Sequence, residues 1–374
     1  MAGIYIHVPY CRQKCSYCNF YFSVSGKTKE GYLKSLIKEI EITKEFLQGN
    51  EIKSLYFGGG TPSILSSVEL SLLIDKIKHY YSFSDDIEIT LEANPDDINK
   101  NYADEIVKLG INRLSIGVQS FHDNELTLLK RNHLSQKALE SIITAKNNGI
   151  NNLSIDLIFG IPGSNINLWL ENLNRFIELD IDHLSCYNLT VEKKTDLDYR
   201  IQKGIVNEIV ENLSVEMFLT TIEFLSEHGY EHYEISNYAR NKKYAIHNTN
   251  YWKGEKYLGL GPSAHSFDGK NRYWNISNVR KYIESIENGI SPNESEKLTE
   301  NEKYNEYIMT GLRTMWGIDD IVINSFGQKN YSLFKQTVED FINQDLILKN
   351  NDNYKLSDKG KLYADRIASE LFLD

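Results

Sequence analysis

The sequence predicts an α/β chain: a partial barrel of six strand–helix units followed by a small α+β domain. Three observations carry this. Short β-branched runs alternate with longer segments of helical periodicity as far as Glu227. Turn chemistry falls where the strands end, at Gly58-Gly59-Gly60, Asn94-Pro95 and Gly160-Ile161-Pro162-Gly163. Near the C-terminus the pattern changes to three helices, a strand pair and a last helix. Repeated strand–turn–helix units call for a parallel sheet with helices outside. Six of them, rather than eight, predict an open, TIM-like (β/α)6 partial barrel.

In chain order, strands are expected at 3–9, 53–58, 87–92, 113–118, 153–159 and 183–189. The helices between and after them are expected at 28–48, 66–81, 99–109, 123–149, 166–180 and 209–228. In such barrels the residues just after each strand carry the chemistry. The barrel is assigned to 1–235. An extension rich in Tyr, Trp, His and Asn follows over 236–295, with few long helical periods. A charged segment, 296–303, suits a linker or a helix start. It opens the C-terminal domain, 296–374, whose strand pair near 345–356 turns at Asn350-Asn351-Asp352-Asn353. That domain reads as winged-helix-like.

Composition narrows the function. No apolar run approaches the ~18 residues of a membrane span. The first residues already read as a strand rather than a leader, so a cytoplasmic location is expected. A net charge of −11 argues against a general nucleic-acid binder, which needs a basic face. Three of the four cysteines fall in the run Cys11-Arg12-Gln13-Lys14-Cys15-Ser16-Tyr17-Cys18. A tight cluster of this kind points to metal rather than to a disulfide framework. Three thiolates on one C-x3-C-x2-C loop can hold a 4Fe–4S cluster and leave its fourth iron free to chelate a ligand. A zinc knuckle with His7 as fourth ligand is the alternative. Cys186, in the sixth expected strand, reads as a buried free cysteine.

The chain resembles radical S-adenosylmethionine (SAM) proteins of the coproporphyrinogen III oxidase-like family. Besides the cysteine run, the likeness rests on Tyr5-Ile6-His7-Val8-Pro9, Phe57-Gly58-Gly59-Gly60-Thr61-Pro62, Glu92-Ala93-Asn94-Pro95, Gly117-Val118-Gln119-Ser120-Phe121 and Asp156-Leu157-Ile158-Phe159-Gly160-Ile161-Pro162-Gly163. These occur in order over almost the whole chain, each at an expected strand end. The resemblance implies Cys11, Cys15 and Cys18 as ligands of the cluster. It implies SAM contacts at Tyr5, Gly59, Gly60, Thr61, Glu92, Gln119, Arg131 and Asp156, with Phe20 capping the site by apolar surface. Glycines let a backbone approach a ligand closely, and exposed amides suit a carboxylate. Arg131 suits the acid groups of SAM, and the carboxylates suit its ammonium, sulfonium or ribose hydroxyls.

Two departures decide the branch. The oxygen-independent oxidases carry a further cysteine two residues after the third, where this chain has Phe20, and an extension ahead of the first strand. His247-Asn248-Thr249-Asn250-Tyr251-Trp252 matches the HNxxYW motif of the haem-chaperone branch. Histidine is a standard axial ligand of haem iron, so haem is an expected third cofactor with His247 as its ligand and His265 as the fallback. Tyr251, Trp252, Tyr257, Tyr273 and Trp274 can stack on a porphyrin. Lys253, Lys256 and Arg272 can pair with its propionates. His7 is expected beside the cluster, and His122 and His133 at the surface or as caps. The expected partners are haem, SAM and a haem-acceptor protein such as a membrane respiratory enzyme. The alternatives are a porphyrinogen-decarboxylating oxidase and radical chemistry on haem itself.

Overall fold

A computed structural model describes residues 2–373 except 48 and 209, so Met1, Asp374 and the expected helix ends at Gln48 and Ile209 lie outside the described residues. All six expected strands form: β1 (Ala2–Val8), β2 (Ile52–Gly59), β3 (Phe83–Ala93), β4 (Arg113–Gln119), β5 (Asn152–Phe159) and β6 (His183–Asn188). They pair in parallel and in sequence order. Parallel strands alone leave two open edges, and open edges invite aggregation. The stretch after β6 covers both. β7 (Glu231–Glu234) and β8 (Asn237–Ala239) add to the β6 edge, antiparallel. On the other edge β9 (Lys256–Leu260) runs parallel to β1, followed outward by β10 (His265–Phe267), β11 (Asn271–Asn275) and β12 (Asn293–Lys297). These short strands lack the alternating apolar pattern that marks a strand in sequence.

Most helices match expectation within a few residues. One departs from it. The helix expected over 123–149 is two helices, Asp123–Leu128 and Ser135–Asn147. The break has a local cause: Lys130 takes the left-handed conformation, φ 55°. Leu128, Leu129 and Lys130 then offer their carbonyls to the cysteine loop instead of to a helical turn. A helix not foreseen, Asp196–Gln202, precedes Glu211–Glu227.

The helices cover a continuous barrel core in which Trp169 is fully enclosed and donates to Thr221 Oγ1 at 2.8 Å. A second core lies in the C-terminal part, around Tyr304, Ile308, Phe334, Tyr354 and Ile367. There a capping box of Thr299 and Glu302 opens the helix Glu300–Leu312. A small antiparallel sheet, β13 (Ile318–Asp319), β15 (Asn353–Leu356) and β14 (Ile347–Asn350) in that spatial order, completes it. Asn351, at φ 53°, makes the expected turn between β14 and β15. Among the described residues no helix is long and apolar enough to cross a membrane.

One buried carboxyl ties the β9–β12 edge to the barrel. Glu39, on helix Lys29–Ile42, accepts from Gly261 N (2.8 Å), Asn275 Nδ2 (2.6 Å) and Tyr282 Oη (2.6 Å). Burial pushes it up to about 7 from an ordinary 4.5, so the native state keeps a proton that the unfolded chain releases. The stability this confers is full below about pH 4.5 and fades as pH rises through about 7. Glu39→Gln keeps a neutral group of the same shape. Its melting temperature should match wild type near about pH 5 and exceed it near about pH 8. Parallel curves across this range would refute the account.

Candidate functional site

The carboxyl ends of β1–β6 open on one cavity of about 630 Å³, lined among others by Cys11, Cys15, Cys18, Phe20, Thr61, Gln119, Arg131 and Asp156. Tyr5, Gly59, Gly60 and Glu92 also line it. All the residues expected to hold the cluster and SAM therefore converge, with Phe20 largely exposed at the mouth. The reason is topological: parallel strands end on the same side, and each contributes one or two side chains there.

The cysteine loop is anchored on three sides. Arg12 pairs with Asp97, its Nε at 2.8 Å from Oδ1, and Ser63 Oγ donates to the other carboxylate oxygen at 2.7 Å. Ser16 donates its N–H to Leu129 O and its hydroxyl to Leu128 O, both at 3.0 Å. Arg131, in the helix break, reaches Cys15 Sγ (3.4 Å) and Gly117 O (2.9 Å). Its Nε is buried without a partner. A guanidinium on a cavity-lining residue, with hydrogen-bonding capacity left over, suits an anionic group such as the carboxylate of SAM.

Two carboxyls line the same cavity. Glu92 accepts from Tyr56 Oη (2.8 Å) and Gly59 N (3.1 Å), and loss of water pushes it up to about 7. Asp156 accepts from Ser115 Oγ at 3.2 Å and is likewise raised by burial. Two carboxyls held toward neutrality by desolvation gain when a cation enters between them. Burial raises the Cys11 thiol to about 11 and also raises Cys18, so in the free protein these thiols hold their protons until a metal displaces them. The donor set fits a cluster with SAM. Among the described residues no three His, Cys, Asp or Glu side chains are gathered tightly enough for a single ion.

A second cavity, about 850 Å³, adjoins the first, and Tyr5 and His7 line both. Its wall comes from Tyr251, Trp252, Tyr257 and Phe267 of the extension and from Tyr307 and Trp316 of the C-terminal part. Lys253, Arg272, Lys303 and His265 also face it. His247 does not. Its ring is buried beneath the cavity, with Nδ1 at 2.8 Å from Ser54 Oγ and Nε2 at 2.8 Å from Tyr251 Oη. It stacks on Tyr56 at 5.0 Å, and burial depresses it to about 3. Of the aromatic residues expected to stack, Tyr273 instead bonds Asp268 and Trp274 bonds Glu294, away from the cavity wall. Lys256 is likewise off the lining.

His133, expected at the surface or as a cap, is buried and bonds Val118 O at 3.1 Å. His122 precedes helix Asp123–Leu128, where its ring bonds Leu168 O at 3.1 Å. Cys186 is free and buried, as expected. The sequence reading missed Asn94, Ser115, Tyr187 and Asn188 in the first cavity. For Asn94, Tyr187 and Asn188 a position at or just after an expected strand end was the available signal; Ser115 lies inside β4 and gave none. Tyr307 and Trp316 gave none, because only folding brings them across from another core.

A partial barrel whose first strand runs into three clustered thiols defines the class, proteins that hold an iron–sulfur cluster and SAM at the barrel mouth. The chain belongs to the radical SAM HemN-like family. The Radical SAM superfamily profile matches residues 5–176, and the HemN C-terminal domain profile matches residues 298–363. It is 33% identical over 372 residues to a Bacillus subtilis protein named "Heme chaperone HemW", covering 98% of each chain. A Danio rerio protein named "Radical S-adenosyl methionine domain-containing protein 1, mitochondrial" is 35% identical over 265 residues, 71% of this chain and 60% of its own. The structure of coproporphyrinogen III oxidase (HemN) from Escherichia coli superposes with a TM-score of 0.87 at 22% identity, over 99% of this chain and 90% of that one. That likeness carries the fold alone. Membership implies a 4Fe–4S cluster and SAM.

Gly60 tests how the cysteine loop is held. A Cβ there would lie 2.6 Å from Tyr10 O and 2.9 Å from Cys11 Sγ. Gly60→Ala should therefore reconstitute markedly less iron per chain than wild type, whereas Cys186→Ala should take up the full amount. Equal iron in Gly60→Ala would show that the loop can move aside.

Proposed function

We propose that this chain is a haem chaperone: it binds haem, carries a SAM-bound 4Fe–4S cluster, and hands the haem to an acceptor protein, such as a membrane respiratory enzyme. The observation that carries the reading is the second cavity. It has porphyrin-scale volume, aromatic walls and three cationic side chains, and it abuts the candidate cluster site. Ligand sites are commonly apolar clefts with a few placed polar groups, and this one matches. Aromatic faces stack on a planar macrocycle, and Lys253 suits a propionate, as do Arg272 and Lys303 on exchanging their present partners Glu306 and Glu300 for one. The names of near full-length relatives support the same reading.

In the first cavity Cys11, Cys15 and Cys18 would hold the cluster, whose open iron supplies a chelating position for SAM and an electron. The chain's own part is to orient and exclude water. Arg131 meets the carboxylate, Glu92 and Asp156 meet the cationic and hydroxyl groups, and the Gly59–Thr61 turn lets the backbone close on the ligand. His7 spans both cavities. Its Nδ1 lies 3.1 Å from Tyr5 Oη, and burial holds the ring neutral, at about 4. In this reading the cluster and SAM serve assembly or regulation of the carrier.

The test is a titration of haem into the anaerobically reconstituted protein. A saturable shift of the Soret band is expected, followed by its loss when an apo-acceptor is added. Incubated with coproporphyrinogen III, SAM and a low-potential reductant, the protein should form no vinyl product. Product formation would replace the carrier reading with the oxidase.

A further inference from the structure

We propose that Arg113, deep inside the barrel, is a positioning residue of the first cavity: its charge keeps the carboxyls Glu92 and Asp156 ready to meet the cationic groups of SAM. The inference rests on SAM occupying that cavity. It starts from the alternation along the parallel strands. One face packs apolar side chains into the core under the helices, as Leu55, Ile89, Leu114, Ile116, Leu153 and Leu184 do. The other face turns into the barrel, and there Ser54, Thr90, Ser115, Ser154 and Ser185 are all buried. Arg113 belongs to this inner face, because Ser115, Gly117 and Gln119, at steps of two along the same strand, line the cavity.

The register puts Arg113 one step below the carboxyls. Arg113 pairs with Thr90 across β3 and β4, and Ser115 pairs with Glu92. Ser115 Oγ donates to Asp156 at 3.2 Å. Two residues of strand separate these layers by about 7 Å. The guanidinium is buried, its Nε and Nη1 make no hydrogen bond, and the Glu88 carboxylate stands 3.9 Å from Nε. A buried cation costs desolvation, and one without hydrogen bonds on two of its nitrogens adds little to packing specificity. What it supplies is a field, which reaches farther where water is excluded.

Loss of water pushes both carboxyls toward neutrality. At Glu92 the Asp156 charge adds to this, while the Tyr56 hydroxyl, the Gly59 amide and the Arg113 charge oppose it. At Asp156 the Ser185 and Ser115 hydroxyls oppose it, as do Arg113 and Arg131. Arg113 is thus the cation that acts on both. His183 and His247 do not compete with it: burial keeps both rings neutral, and the Arg113 charge lowers them further. Glu88 is the counter-charge, and it weakens the field of Arg113 at the mouth. A cation is held better between two carboxylates than between two neutral acids. Arg113 therefore tightens SAM and Glu88 loosens it.

The experiment is the affinity for SAM of the reconstituted full-length protein, measured by equilibrium binding from about pH 5.5 to about pH 8.5. Wild type, Arg113→Met, Arg113→Lys and Glu88→Gln are compared, with iron per chain as the loading check. SAM's own titration is common to all four, so only the displacement between curves is read. Wild-type binding should tighten as pH rises through about 7, where Glu92 ionises. Arg113→Met should move that rise upward by about one pH unit, which is about tenfold weaker binding near neutrality. Arg113→Lys should stay with wild type, and Glu88→Gln should move the rise downward. A packing role would weaken SAM by one factor at every pH. An Arg113→Met curve that coincides with wild type or runs parallel to it therefore overturns the inference and leaves the SAM site standing. If Arg113→Met takes up no iron, Glu88→Gln decides, and a rise left in place overturns the inference. Absence of SAM binding by wild type would overturn both the inference and the reading it rests on.

Discussion

The close approach of the β2 turn to β1 governs everything at the barrel mouth. His7 pairs with Gly58 and Val8 with Gly59, and Gly60 N donates to Val8 O at 2.8 Å. A Cβ at Gly58 or Gly59 would lie 2.8 Å from the ring of Tyr5 or His7. Gly59 also needs φ 111°, which side chains rarely adopt. Because these residues have no side chains, β1 can run straight into the cysteine loop with the β2 turn against its backbone. The three thiols, the Gly59–Thr61 amides and the β1 side chains Tyr5 and His7 are placed together by that one contact.

Behind the mouth the barrel is polar, which is unusual for a packed core. Arg113 and Glu88 are both buried, with 3.9 Å between Arg113 Nε and the carboxylate. His183 is held between Ser154 Oγ and Tyr233 Oη, each at 2.7 Å. His247 belongs to this interior network through Ser54 and Glu88, not to the solvent side. Such groups cost desolvation, and the hydrogen bonds that hold His183 and His247 fix rotamers that an apolar core would leave interchangeable, whereas Arg113 keeps Nε and Nη1 without a hydrogen-bond partner. A rigid interior is what allows Glu92 and Asp156 to be presented at the mouth with shifted protonation.

The two cavities are joined by design of the sheet rather than by any loop. β9 lies beside β1 in parallel, with Tyr5 opposite Gly259. The residues that leave β9, and those that enter the antiparallel β10, therefore lie on the same side as the cysteine loop. The helix Glu300–Leu312 then closes the second space, with Arg272 paired to Glu306 across it. Tyr5 and His7 are the shared wall, so a change of state in the first cavity has a direct physical contact with whatever occupies the second.

Local pattern was enough for the six parallel strands, the thiol loop, the strand-end residues and the helix–hairpin order of the C-terminal part. Those features depend on neighbours within a few residues, on turn glycines, and on a topology that sends every parallel strand end to one face. The pattern failed at Leu129–Leu134, where tertiary hydrogen bonds to the cysteine loop outcompete a helical turn. It failed again at β7–β12, short edge strands whose burial is set by what they dock against. It also could not orient His247. A histidine and a tyrosine four residues apart must share a helix face, but which of the two faces the cavity is decided by Ser54 and Tyr56, nearly 200 residues away in the chain. The sequence by itself determined which chemical groups exist and which strand ends carry them. Only the tertiary structure decided which of those groups keep a free atom, because desolvation and hydrogen-bond satisfaction are properties of the assembled interior.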